Sequence, residues 1–253
     1  MLEKAKKEKR RVPPRVLLYG SEKVGKSSAA ASAPDAFVID TEGGLDRIEV
    51  ARLDQCRSFA DIVAQIDALI TEDHKYKTVV IDSLDWMERL VWGEVCRQHG
   101  VKSIEKAAGG YGKGYMESCI MFRGVLEKLE ALRAKGMIVI LVCHSKVEKL
   151  EDPELGAYDR IAPRLHKLVM ALVTEWSDAI LYMARKTIIS DGKIKPVGKG
   201  GGGRYFKTAG GPSCLAGNRY GLPEEIELPE HPEKMWSVFV EVLKTCMEEK
   251  NNG

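Results

Sequence analysis

The sequence predicts an α/β fold, a parallel sheet flanked by helices with a β-hairpin extension toward the carboxyl end. Three observations predict it. Short apolar runs recur along the chain, segments of helical periodicity alternate with them, and a glycine-containing turn joins the first run to the first helix. Strands that alternate with helices form parallel sheets, and such sheets bind ligands at the carboxyl ends of their strands. We therefore expect the functional residues to gather at that edge.

Length and composition bound the organisation of the chain. Its 253 residues suffice for one sizeable core, and we expect one domain over 15–230, a basic tail over 1–14 and a carboxyl-terminal helix and tail over 231–253. No apolar run approaches the roughly 20 residues that cross a bilayer, so no membrane partner is expected. No apolar segment follows the basic amino terminus, which predicts a cytoplasmic protein. A net charge of +2 is too small to indicate nucleic-acid binding by itself.

The amino-terminal half contains three predicted strands and the helices between them. The strands are the apolar runs at 16–19, 36–39 and 78–81. The first helix begins near Gly25 and stops at Pro34, whose ring and missing N–H end helical pairing. Ser58 and Asp61 have the spacing of a capping box, which predicts a second helix. A third helix contains Trp86.

The carboxyl-terminal half continues the alternation and then changes character. Residues 100–114 have no periodicity and are predicted to form a loop before a long helix over about 115–134. A fourth strand at 137–142, a charged loop to about 162, a helix opened by Pro163 and a fifth strand at 179–183 follow. Asp191-Gly192 between two short runs predicts a type I′ hairpin. A short strand near Tyr205 and a helix containing Trp236 complete the chain.

The turn after the first strand carries the most specific motif. Gly20 to Ser27 matches GxxxxGK[ST] between a strand and a helix, the pattern of a phosphate-binding loop (P-loop). Its glycines let backbone N–H groups turn toward phosphates, while Lys26 reaches the β- and γ-phosphate oxygens and Ser27 binds Mg²⁺. ATP and Mg²⁺ are therefore the predicted cofactors, and an ordinary strand-turn-helix connection is the alternative. The predicted nucleotide-binding residues are Gly20, Ser21, Glu22, Lys23, Val24, Gly25, Lys26, Ser27 and Ser28.

Asp82, at the end of the third strand, is the predicted second metal-site residue. A carboxylate that closes a buried run is costly without a partner, so a role facing the metal through water is expected. The alternative is a cap for the helix that follows.

Hydrolysis also needs a group that orients or deprotonates water. Many hexameric ATPases have a glutamate directly after the strand-terminal aspartate, but here that position is Ser83. Glu42, beside two glycines after the second strand, is the predicted base. Asp85 is the competing candidate, and a structural role of Glu42 in the turn is the alternative.

His144 follows the fourth strand. A polar group at that position can sense a γ-phosphate and transmit its presence to the segment that follows. A histidine there can equally be a satisfied polar residue without such a role.

The stretch Val38-Ile39-Asp40-Thr41-Glu42-Gly43 resembles the IDTEG element of RecA/RadA-type recombinases, whose glutamate is the catalytic base. Lys26, Ser27, Asp82 and His144 fall in the matching order. More closely, residues 15–228 resemble phage-encoded RecA-like nucleotide-binding proteins of the AAA-domain type, some of which act in single-strand annealing and recombination. The resemblance implies a RecA-like ATPase, in the cytoplasm of a bacterial host if the protein is phage-encoded. A homo-oligomer is expected, and a ring, a filament and a monomer that assembles only on DNA are the open alternatives. A single-strand-binding protein or another replication or recombination protein is an implied partner.

A late element, residues 218–223, is similar to a stretch of that family and of DnaB-type helicases in which an arginine reaches the neighbouring subunit's nucleotide. Arg219 matches that arginine and is a predicted catalytic residue. Gly217 stands where the family has a lysine. The alternative for Arg219 is a surface salt bridge.

Single-stranded DNA is the predicted macromolecular partner, because basic residues alternate with aromatic ones in loops. The candidate segments are residues 97–115, the segment after His144 and residues 193–207. Each of them can also be a solvated basic loop. The predicted function is ATP binding and hydrolysis coupled to recombination or annealing of single-stranded DNA. A small-molecule kinase and a nucleotide-binding assembly module with negligible turnover are the alternatives.

Overall fold

The computed structural model describes Ala5 and residues 12–154, 156–190, 193–196 and 203–252. Most of the basic tail over 1–14 and the Asp191-Gly192 turn lie outside these residues. The strands are β1 (Arg15–Gly20), β2 (Ala36–Asp40), β3 (Ala51–Arg52), β4 (Thr78–Asp82), β5 (Ile138–Asp152), β6 (Gly156–Pro163), β7 (Ala179–Arg185), β8 (Thr187–Ser190), β9 (Lys193–Pro196), β10 (Arg204–Lys207), β11 (Gly217–Asn218) and β12 (Glu225–Leu228). The α-helices are α1 (Lys26–Ala31), α2 (Phe59–Thr71), α3 (Leu84–Gln98), α4 (Lys113–Ala134), α5 (Lys167–Trp176) and α6 (Met235–Asn252).

The central sheet has the order β12-β10-β7-β1-β5-β4-β2-β3. The strands from β7 to β3 in this order run parallel, and β10 and β12 add an antiparallel edge. The predicted α/β fold with a parallel sheet flanked by helices is confirmed. The parallel direction brings the carboxyl ends of β1, β5, β4 and β2 to one edge of the sheet, in that order.

Helices cover both faces of the sheet, and β1 contributes side chains to both. Leu17 and Tyr19 are buried in a cluster with residues of α2, α3, α4 and α5. Val16 and Leu18 are buried in a second cluster with residues of α1 and α6, including Trp236. This alternation is expected for a strand buried on both faces, where successive side chains point to opposite sides.

Local sequence signals account for several element boundaries. The Ser58 hydroxyl accepts the Asp61 N–H at 3.2 Å, and the Asp61 carboxylate accepts the Ser58 N–H at 2.9 Å, so the predicted capping box opens α2. The strands β8 and β9 pair antiparallel, as the hairpin prediction requires. In the predicted loop over 100–114, residues Ile104–Gly109 form a 3₁₀ turn and α4 already begins at Lys113.

The charged loop predicted after His144 is wrong. Strand β5 continues to Asp152 and forms an antiparallel hairpin with β6, in which Ser145 pairs with Pro163. Pro163 therefore ends a strand rather than opening a helix, and α5 begins at Lys167 after the His166 cap. Proline is compatible with this position because it lies at the end of an edge strand. The short strands β3, β11 and β12 were also not predicted.

Among the described residues, no helix combines the length and apolar character that crossing a membrane requires.

Candidate functional site

The sheet register brings the predicted site residues to neighbouring strand ends. Gly20, the last residue of β1, pairs with His144 in β5. Asp40, the last residue of β2, pairs with Asp82, the last residue of β4. Because β5 lies between β1 and β4, the P-loop, His144, Asp82 and the segment after Asp40 share one edge.

Two residues of the P-loop have a left-handed backbone conformation. Lys23 and Gly25 have positive φ angles of 58° and 110°. At Gly20 a Cβ atom would lie 2.4 Å from the Met183 carbonyl oxygen, so the close approach of β1 to β7 leaves no room for a side chain. Ser28 follows in the first turn of α1.

Lys26 is held under the P-loop by the loop's own carbonyl groups. Its side chain is buried, and Nζ donates to the carbonyl oxygens of Gly20 at 3.1 Å and Ser21 at 2.8 Å. Burial lowers the pKa of Lys26, and the charges of Asp82 and Glu42 act in the opposite direction. The ammonium group is thus already positioned beneath the loop that would surround the phosphates.

Asp82 and Ser27 provide a pair of oxygen atoms that fits a magnesium ion. Asp82 is 4% exposed and accepts a hydrogen bond from Ser27. Burial, together with the charge of Glu42, raises the pKa of Asp82 to about 6, although the Ser27 hydrogen bond and Lys26 oppose this shift. A buried carboxylate with this pKa is under-compensated, and a divalent cation would supply the missing positive charge.

Glu42 is fixed at the same edge by the turn that follows β2. The Asp40 carboxylate accepts the N–H groups of Glu42 at 3.1 Å and Gly43 at 2.7 Å, which shapes the turn. Ser83 Oγ donates to Glu42 Oε2 at 3.1 Å. The Thr41 hydroxyl donates to the Ser83 carbonyl oxygen at 2.8 Å and accepts the Ser83 N–H at 2.9 Å.

His144 lies between two carboxylates. Its Nδ1 is 3.1 Å and 3.2 Å from the two oxygens of Asp85, and its Nε2 is 3.8 Å from Glu42 Oε1. The backbone N–H of His144 also donates to Asp85 at 3.1 Å. An ionised carboxylate only accepts, so Nδ1 carries a proton toward Asp85 and Nε2 faces Glu42 and the open edge of the site.

Arg164, which the sequence did not single out, connects this group to the P-loop. It directly follows β6, and its backbone N–H donates to the His144 carbonyl at 2.7 Å. Its guanidinium binds Asp85 Oδ2 at 2.8 Å and 3.2 Å and Glu22 Oε1 at 3.1 Å. Burial alone would raise the pKa of Asp85, but the hydrogen bonds from His144 and Arg164 outweigh it and hold that pKa well below its usual range.

Arg219 lies apart from this cluster. Its Nη1 is 3.1 Å from Asp178 Oδ1, and its backbone N–H donates to the Asp178 carbonyl at 2.9 Å. Ala179, which follows Asp178 in the chain, pairs with Val16 near the start of β1, whereas the P-loop begins at Gly20 at the end of β1. Four residues of strand separate these levels, so Arg219 lies about 13 Å from the P-loop of its own chain, measured along β1. The salt-bridge alternative describes this contact, and a role toward a neighbouring subunit stays a prediction.

Arg204 contacts the P-loop from β10, on the side of β1 away from Asp82 and Glu42. The sequence placed it in a basic segment for DNA, but its Nε donates to the Val24 carbonyl at 2.8 Å. A Cβ atom on Gly25 would lie 3.4 Å from the same Nε. Strand β10 thus supports the loop through a contact between residues 180 positions apart, and no local pattern signals it.

Comparison with known proteins places this geometry in a family. Over 186 residues the chain is 24% identical to the SPbeta prophage-derived uncharacterized protein YorG of Bacillus subtilis (strain 168), covering 71% of this chain and 53% of that protein. The chain therefore spans about half the length of this curated relative. The family model described as AAA domain matches residues 12–220, which include every strand from β1 to β11 and the whole cluster around the P-loop. With so much of its length matched, and with a P-loop at the carboxyl edge of a parallel sheet, the chain belongs to the AAA domain family.

Proposed function

We propose that this protein is a RecA-like ATPase that hydrolyses ATP with Mg²⁺ and acts on single-stranded DNA in recombination or annealing. AAA domains are associated with nucleotide binding and hydrolysis, which supports the first part. The observation that carries the proposal is the convergence of Lys26, Asp82 and Glu42 at the carboxyl edge of the sheet.

Backbone and side-chain groups of the P-loop, together with Asp82, would bind the triphosphate and its metal ion. Backbone N–H groups of residues 21–28 and the amino terminus of α1 would bind the phosphate oxygens, and the Lys26 ammonium would neutralise part of their charge. Ser27 and Asp82 would hold Mg²⁺, directly and through water. When bound, that ion supplies Lewis-acid polarisation of the phosphoryl oxygens.

Glu42 is the proposed base and Asp85 is not. The Glu42 carboxylate accepts a hydrogen bond from the Ser83 hydroxyl and lies 3.8 Å from His144 Nε2, and its side chain is 31% exposed to solvent. Asp85 is buried and bound by His144 and Arg164, and its low pKa makes it a weak proton acceptor. Glu42 can therefore orient a water molecule and accept its proton.

His144 and Arg164 are the proposed connection between the nucleotide and the β5–β6 hairpin. His144 lies beside Glu42 where β5 leaves the sheet, and Arg164 lies where β6 returns. Both bind Asp85, so a change at the phosphate edge that moves one of them alters the base of the hairpin on both strands. The sensor role of His144 belongs to this connection.

Single-stranded DNA, homo-oligomers and a single-strand-binding or other recombination partner are supported by resemblance rather than by contacts. The IDTEG-like element, the order of the site residues and a prophage-derived relative support this part. Arg219, whose side chain is 59% exposed, is available to a neighbouring subunit as an arginine finger.

Two variants test the ATPase. Lys26→Ala removes the ammonium group and should abolish nucleotide binding. Glu42→Gln should bind ATP within about twofold of the wild type and lose turnover by roughly 10²- to 10⁴-fold. Binding of a fluorescent ATP analogue and phosphate release should be measured with and without single-stranded DNA.

Normal hydrolysis by Glu42→Gln would reject Glu42 as the base. Tight ATP binding with negligible turnover under every DNA condition would identify an assembly module instead. Phosphate transfer to a nucleoside rather than to water would identify a kinase.

A further inference from the structure

A cavity of about 550 Å³ lies beside the P-loop and shares residues 21–24 with the site described above. Residues 21–24 form one wall, and side chains of β7 and β10 form the floor. In the sheet order β7 and β10 are on one side of β1, whereas β5, β4 and β2 are on the other. The cavity is therefore on the side of the P-loop away from Asp82 and Glu42, and the proposed hydrolysis leaves it unused.

Two lysines line this cavity, Lys23 and Lys207, together with Glu22, whose carboxylate is paired with Arg164. Arg185 also borders the cavity, but the alternation along β7 directs its side chain to the other face of the sheet. In the described part of the chain neither lysine is within ion-pair distance of a carboxylate. By contrast, Lys186, the neighbour of Arg185, is paired with Glu227. Two lysines without a paired carboxylate, beside a glutamate that Arg164 already neutralises, favour an anionic ligand.

Two tyrosines complete the lining. Tyr205 in β10 pairs with Ala184, and Lys207 pairs with Tyr182 in β7, so the two rings are diagonal neighbours on one face of the sheet. Both are half-buried, and burial raises the pKa of each phenol. Tyr19 pairs with Tyr182 in the β1/β7 register and packs against it, with ring centroids 5.2 Å apart. The cavity therefore offers an aromatic surface within a cationic rim.

We propose that this cavity binds one nucleotide unit of single-stranded DNA, with its base against Tyr205 and Tyr182 and its phosphate against Lys207 and Lys23. This inference rests on the proposed action on single-stranded DNA and assigns it a surface. Aromatic stacking and phosphate contacts are the two interactions that bind single strands without regard to sequence, and the volume is within the range of small-ligand sites. Because the P-loop forms one wall, strand binding and nucleotide binding are coupled at residues 21–24.

The test uses the full chain and a fluorescein-labelled oligothymidylate of about 20 nucleotides. Tyr205→Ala should weaken binding about tenfold or more. Lys207→Gln should weaken it and reduce the salt slope of log Kd by about 0.7, the value for one phosphate contact on a single strand. Lys186→Gln removes the same charge from a paired lysine next to the cavity and should stay within about twofold of the wild type.

Each outcome decides the proposal. Wild-type binding with unchanged affinity in Tyr205→Ala and Lys207→Gln would overturn the cavity assignment and leave the proposed function standing. No wild-type binding at low salt would overturn both the assignment and the DNA part of the function. Thymidine monophosphate that competes as strongly as the oligonucleotide would indicate a site for a free nucleotide and overturn the strand proposal. If Tyr205→Ala fails to bind the fluorescent ATP analogue, Lys207→Gln alone decides.

Discussion

At the scale of single residues, Asp85 is a buried carboxylate whose hydrogen bonds connect two other residues of the site. One buried carboxylate accepts from the ring and backbone of His144 and from the Arg164 guanidinium. These hydrogen bonds fix His144 and Arg164 relative to each other, and because they hold the pKa of Asp85 well below its usual range, the carboxylate stays ionised throughout the neutral range.

Arg164→Ala tests whether this positioning matters for turnover. Without the guanidinium, Asp85 loses two hydrogen bonds and Glu22 loses its ion pair. The Asp85 carboxylate, which binds the His144 ring, is then less firmly fixed. We expect kcat for ATP to fall about tenfold or more while KM changes by less than about threefold. Arg164→Lys should restore only part of the rate, because an ammonium group lacks the planar fork. A purely structural role would instead lower stability and leave the kcat of the folded fraction unchanged.

Glu88, one turn after Asp85 in α3, gives a pH dependence of stability. Burial raises the pKa of its carboxyl to about 7, against the hydrogen bond from the His166 N–H and the charge of Lys146. The folded state therefore holds this proton more tightly than the unfolded chain does, and the stabilisation present below pH 4.5 is lost as the pH rises through about 7.

Glu88→Gln removes this titration. Relative to the wild type it should gain roughly 2–3 kcal/mol in the free energy of unfolding between pH 4.5 and pH 8. Urea unfolding curves at the two pH values measure the change. A difference between variant and wild type that does not vary with pH would contradict the raised pKa.

At the scale of elements, the strands β1, β2, β4, β5 and β7 of the central sheet were predictable, whereas the β5–β6 hairpin was not. Residues 16–19 form an unbroken apolar run because β1 is buried on both faces. The hairpin has no buried face beyond its base, and Val147 in β5 is 68% exposed. Hydrophobic periodicity arises from one-sided burial, so a projecting hairpin has no such pattern.

Shortening the hairpin tests its role. Glu148 and Arg160 are directly opposed and form an ion pair at 2.8 Å, so residues 149–159 can be replaced by Asn-Gly to close the ladder at that pair. We expect unfolding and ATP binding close to those of the wild type, because most of the removed side chains are exposed or partly exposed. Stimulation of ATP hydrolysis by single-stranded DNA should be lost. Stimulation equal to that of the wild type would exclude the hairpin from the coupling.

At the scale of the whole molecule, α6 covers one face of the sheet. Trp236 and Phe239 are among the largest fully buried side chains, and the Trp236 N–H of the backbone donates to Ser32 Oγ next to α1 at 3.1 Å. The helix thereby packs against the element that begins at the P-loop.

Trp236→Ala should destabilise the protein by about 3–5 kcal/mol, since it removes a large side chain from a packed core. Lys244→Ala, on the exposed side of the same helix, should change the free energy of unfolding by less than about 0.5 kcal/mol. Denaturant unfolding compares the two. Similar effects from both substitutions would show that α6 contributes through helix formation rather than through burial.

The site residues that follow the ends of predicted strands could be identified from the sequence. The site residues that reach the site through long-range contacts could not. Asp82 closes an apolar run, and Glu42 and His144 each follow one within three residues. The carboxyl ends of parallel strands meet at one edge of the sheet, which brings these positions together. Arg164 binds partners that are 79 and 142 residues away, and its position depends on the unpredicted hairpin. Arg204 reaches the P-loop from β10, a four-residue strand whose place in the sheet a short apolar pattern cannot predict.

The double burial of β1 makes its length a strict requirement. Inserting or deleting one residue within β1 would exchange its two sets of side chains between the helical layers, as for any strand of period two. The same change would move Gly20 away from the Met183 carbonyl, where only a hydrogen atom fits. The six-residue strand thus ties nucleotide recognition to correct assembly of both halves of the core, so a chain that folds with a slipped β1 would have no working phosphate loop.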